Sequence, residues 1–63
     1  MSEKESIDHG YGETVETLFK VFFGEFTSAR GERAAEEGAK ERFRNGILHA
    51  RHVQELALSL LPD

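Results

Sequence analysis

The chain has 63 residues, twelve acidic against eight basic side chains, three histidines and a formal charge of −4. No apolar run approaches the roughly 18 residues a membrane span needs, and the absence of cysteine removes any disulfide staple. A chain this short hides only about 60% of the surface its unfolded form exposes, so a core built alone is marginal.

Residues 1–12 read as a flexible polar leader. Gly10-Tyr11-Gly12 marks a break, and Ile7 and Tyr11 are its only bulky groups. The opening Met-Ser-Glu-Lys-Glu-Ser is charged and acidic, unlike a secretory or mitochondrial targeting segment, so a cytoplasmic protein is expected. The domain proper is expected over residues 13–63.

A first helix is predicted over about residues 14–30. Val15, Leu18, Phe19, Phe22, Phe23, Phe26 and Ala29 recur at steps of mostly three and four and cover roughly 140° of a helix surface. Thr14 suits the N-cap and Gly31 the C-terminal stop. Val21 is the outlier, and Gly24 weakens the helix by about 1 kcal/mol relative to alanine. An aromatic stripe of this kind reads as packed core.

A second helix is predicted over about residues 32–61, ending before Pro62. Ala39, Phe43, Gly46, Ala50, Val53, Ala57 and Leu60 alternate steps of four and three, a heptad seam with unusually small members. Those gaps are expected to receive the bulk of the first helix. The core is therefore assigned to Leu18, Phe19, Phe22, Phe26, Phe43, Ala50, Val53 and Leu60.

The short link between the two predicts an all-α antiparallel hairpin whose longer second helix is covered for only about half its length. The projecting part, Ile47 to Leu61, is apolar nearly all round, and an exposed patch of that size calls for a partner. Self-association into an oligomeric helical bundle, most simply a two-fold dimer, is the expected answer, with Ile47, Leu48, His52, Leu56 and Leu61 at the interface. The leading functional expectation follows: a small homo-oligomeric module that binds another protein as accessory subunit, adaptor or regulator, with no cofactor.

Two constellations carry alternative chemistry. His49, His52 and Glu55 follow one another at steps of three on one helix, and two imidazoles with a carboxylate suit a divalent transition metal. The spacing lacks the Glu-x-x-His pairing of ferritin-like sites. The second constellation is Arg44-Asn45-Gly46-Ile47-Leu48-His49, which resembles the Arg-Asn-x-x-x-His motif of the HEPN family, whose members include helical RNA-cleaving toxins. That resemblance implies a phosphate contact for Arg44 and a catalytic or orienting role for His49 in a dimer. Arg51 stands where the family often carries tyrosine.

Charge is distributed unevenly. Residues 1–39 hold nine acidic and four basic groups, whereas residues 40–52 hold Lys40, Arg42, Arg44 and Arg51 against Glu41 alone. Intrahelical pairs such as Glu36–Lys40 and Glu41–Arg44 account for much of this. The overall acidity argues against broad nucleic-acid affinity.

Overall fold

The computed structural model describes residues 1–62, which form two long helices, α1 (Glu3–Ser28) and α2 (Arg33–Ser59). Among the described residues there is no strand. The hairpin is all-α, as the periodicity predicts, but its proportions differ from expectation.

The supposed leader is helical. Ser2 is the N-cap: its Oγ accepts from the Glu5 backbone N–H at 3.1 Å, and its own N–H donates to Glu5 Oε1 at 3.2 Å. This reciprocal capping box satisfies two orphan donors, and Glu3 and Glu5 complement the helix dipole. Ion pairs one turn apart, Lys4–Asp8 at 2.9 Å and Glu16–Lys20 at 3.0 Å, support the segments either side of Gly10 and Gly12. Thr14 is consequently inside the helix, where its hydroxyl donates to the Gly10 carbonyl at 3.0 Å.

The reversal occupies Ala29 to Glu32. Arg30 and Gly31 take left-handed φ values of 51° and 81°, a conformation glycine adopts without strain, so Gly31 does mark the stop. Glu32 then caps α2, its carboxylate accepting from the N–H groups of Ala34 at 3.2 Å and Ala35 at 2.8 Å.

With 26 and 27 residues the helices are nearly equal, about 40 Å each, so α1 covers α2 along its length rather than over half of it. The register follows from four contacts. Glu25 accepts from Arg42 Nε at 2.9 Å. Phe22 packs on Phe43 with ring centroids 5.0 Å apart. Leu18 sits over Gly46, where an added Cβ would lie 2.7 Å from Leu18 Cδ2. Gln54 Nε2 donates to Asp8 Oδ1 at 3.0 Å near the chain ends. The space that Gly46 leaves is thus filled by a leucine and not by a phenylalanine.

The seam also shifts along α2. Ala39, Phe43, Gly46, Ala50 and Ala57 face α1, but Val53 and Leu60 are 47% and 75% exposed, and Gln54 and Leu61 are turned inward in their place. A heptad repeat drifts by about 20° per seven residues on a straight 3.6-residue helix, so after two heptads the pattern has rotated off the contact line. On α1 the inward row is Ile7, Tyr11, Val15, Leu18 and Phe22, continued by Ala29 at its C-cap, while Phe19, Phe23 and Phe26 are exposed.

Candidate functional site

The hairpin is a single layer of helices, with Cα extents of 50 × 18 × 6 Å. Of the described residues only Ala39 is fully buried. Such a layer has two broad faces, and each candidate residue belongs to one of them or to an edge.

Each successive residue turns about 100° round its helix. Starting from Leu18, which points at α2, Phe19, Phe23 and Phe26 all rotate to the same side, and Val21 to the other. On the antiparallel α2, the same sense of rotation from Gly46 carries Lys40, Ile47 and Arg51 to the side that holds these phenylalanines. This is the aromatic face. Between the helices it bears a groove of about 390 Å³, lined by Phe22, Phe43, Ile47 and Leu48 with Lys40, Arg44 and Arg51 around it. Phe19 and Phe23 pair at 6.3 Å and Phe22 and Phe26 at 5.6 Å.

The opposite face is built from small residues. Its groove, of about 500 Å³, runs over Gly10, Gly46, Ala50 and Ala57, with Tyr11, His49 and Val53 among its walls. Nothing polar is stranded: among the described residues no buried side-chain nitrogen or oxygen lacks a partner. Asp8, beside this groove through Gln54, has its carboxyl held below the usual carboxylate range, first by the hydrogen bond from Lys4 and to a lesser degree by that from Gln54.

The expected sites fall differently on this frame. Arg44 lines the aromatic groove and His49 the small-residue groove, so the two lie on opposite faces of the layer. Within one chain the two do not face a common phosphate; a site that used both would have to be completed by a second copy, as in the dimer that the HEPN-like resemblance implies. His49, His52 and Glu55 are all exposed and fan from the small-residue groove, where His49 stands, round to the outer side of α2. Among the described residues no group of three or more histidine, aspartate or glutamate side chains could hold a metal ion.

The five expected interface positions divide. Ile47 and Leu48 line the aromatic groove. Leu61 is half-buried at the seam, while His52 and Leu56 are exposed along the outer edge of α2. The projecting helix end that motivated the choice does not project, because the first turns of α1 lie beside it. Sequence reasoning missed Gln54, which ties Asp8 to α2, and the weight of the aromatic face. The cue for Gln54 was a lone amide at an inward-facing step within an apolar run.

Among the described residues no helix is long and apolar enough to cross a membrane. No family model, curated protein or solved structure matches the chain.

Proposed function

We propose that the chain is a small homo-oligomeric helical module that works by binding protein, as an accessory subunit, adaptor or regulator. One observation carries this reading: the isolated hairpin leaves too much surface in water. It exposes 4979 Å², against about 4,100 Å² for a compact monomer of 7.1 kDa. Its radius of gyration of 14.8 Å likewise exceeds the roughly 10.6 Å of a compact chain of this length. Large apolar side chains share in this exposure: Phe19 and Phe23 are 53% and 61% exposed in a chain with only five phenylalanines. At about 25 cal/mol per Å², covering such surface is a strong drive to associate.

The geometry favours neither chemical alternative, because Arg44 and His49 are separated and the histidine pair gathers no third ligand. Native mass spectrometry of the untagged protein, with light scattering across a concentration series, tests the reading. A dimer or larger assembly is expected. A monomer at every concentration would remove the self-association on which the proposal depends.

A further inference from the structure

We infer that the aromatic face is the self-association surface and that it takes a second copy face to face, with α1 of each copy lying along α2 of the other. This rests on the self-association proposed above and adds which surface meets which.

The area is of the right size. A face of 50 by 18 Å spans about 900 Å², close to the roughly 800 Å² that each partner contributes to a stable interface. Phe19, Phe23 and Phe26 supply the large apolar anchors such interfaces concentrate at their centres.

Charge selects the arrangement. On this face the edge given by α2 is basic, through Lys40, Arg44 and Arg51. Rotation about α1 places Glu5 and Glu16 on the corresponding outer edge of α1. A two-fold axis lying across the helices would stack α2 on α2 and bring two basic edges together, which is repulsive. An axis parallel to the helices stacks α1 on α2 and sets acidic edge against basic edge. It also preserves level. Interpolated between the Asp8–Gln54 and Leu18–Gly46 contacts, Glu16 comes level with the partner's Ile47 and Leu48, about 5 Å along the axis from its Arg51, and the two side chains, each tilted toward its own helix N-terminus, lean toward each other. Lys40 and Arg44 hold Glu37 and Glu41 of their own helix, and Glu16 holds Lys20 at 3.0 Å in an exposed pair that it can share; among the described residues Arg51 has no ion-pair partner within its own chain, so it is the basic group free to make this contact.

The chain has no cysteine, so introduced thiols report without background. Glu16→Cys and Arg51→Cys are both at exposed positions and leave the packing alone. After subunit exchange, a short thiol-specific crosslinker should join the mixture of the two variants and neither variant by itself. Crosslinking of Glu16→Cys alone would mean α1 lies on α1 and would overturn the arrangement. Absence of crosslinks in a mixture whose native mass is still dimeric would place the interface elsewhere, leaving self-association intact. A monomeric parent would end both proposals, and the mass shows this before any crosslinking.

A charge reversal gives an independent reading. Glu16→Arg and Arg51→Glu should each raise the dimer dissociation constant several-fold, since the contact occurs twice, and the double variant should return most of that loss. Two silent single variants, or a double variant as weak as the singles, would overturn the pairing.

Discussion

The half of the hairpin near the turn and the half near the chain ends hold the same two helices together by different means. Near the turn the contact is made by bulk: Phe22 on Phe43, Ala39 fully buried beside them, and the Arg42–Glu25 pair across the seam at 2.9 Å. Near the ends it is made by small residues round an open groove, closed by one amide-to-carboxylate bond between Gln54 and Asp8. Helix length is similar on both sides of the divide, but among the described residues only the turn half holds a fully buried residue and a ring-on-ring contact between the helices. Local stability follows buried apolar contact, so the end half should open first. Native-state amide exchange should show slower exchange around Phe22 and Phe43 than in residues 3–12. Equal protection in both halves would remove the distinction.

The largest effect is expected where bulk does the holding. Phe43→Ala removes a half-buried ring and the stacking with Phe22. Full burial would set the loss at 3–5 kcal/mol, so about 2 kcal/mol is expected here. Urea unfolding at fixed chain concentration measures it, because the proposed self-association would make apparent stability concentration-dependent. A loss as small as that of an exposed aromatic would show that the turn half is no better packed than the rest.

Gly46 lies at the boundary between the halves. Replacing it with alanine gains about 1 kcal/mol of helix propensity but drives a methyl group into Leu18, 2.7 Å away. The two effects oppose each other, so the net change in the parent should be small. In a Leu18→Ala background the obstruction is gone and the full gain should appear. A double-mutant cycle should therefore return a coupling of about 1 kcal/mol. Additive changes would mean that Leu18 moves aside freely.

In the end half the corresponding experiment is constructive. Gly10 and Gly12 are helical, and an added Cβ at either meets nothing within 4 Å. Each alanine replacement should stabilise by about 0.5–1 kcal/mol and narrow the difference in amide exchange between the halves. Destabilisation at Gly10 would indicate that the small-residue groove is occupied in solution.

These same two glycines explain what the sequence conceals. A pair of glycines within three residues signals a break, and on that signal α1 was expected to start at Thr14. The opposing signal, Ser2 followed three residues later by Glu5, is a capping box, and its effect propagates because helix extension is far easier than nucleation. Helix type, antiparallel pairing, the Gly31 turn and the small-residue character of the α2 seam were all legible as periodicity. The inward placement of Gln54 and Leu61 was not. A strict heptad and a straight helix diverge slowly, and only the three-dimensional path decides between them. The separation of Arg44 from His49 follows from a five-residue step that turns them about 140° apart, so it could have been read directly from helix geometry.

The smallest effect is the most local, and it tests the bond that closes the end half. The Asp8 carboxyl is held below the usual carboxylate range by Lys4 first and by Gln54 less. A group whose folded pKa is depressed contributes stability that is present above its unfolded value, near 3.9, and lost as pH falls through the folded value. Acid should therefore weaken the tie between Asp8 and Gln54 and loosen residues 3–12 as the pH falls below the usual carboxylate range. A carbon-detected NMR titration of the Asp8 carboxyl reads this without interference from the other acids. Its midpoint should rise toward the ordinary value in Lys4→Ala and rise by less in Gln54→Ala. The second shift is the informative one: Lys4 is a neighbour on α1 and would depress Asp8 in an isolated helix, whereas Gln54 acts only if the ends of the two helices are in contact. No movement in Gln54→Ala would mean that the end half is open in solution, and the hairpin is then held by its turn half.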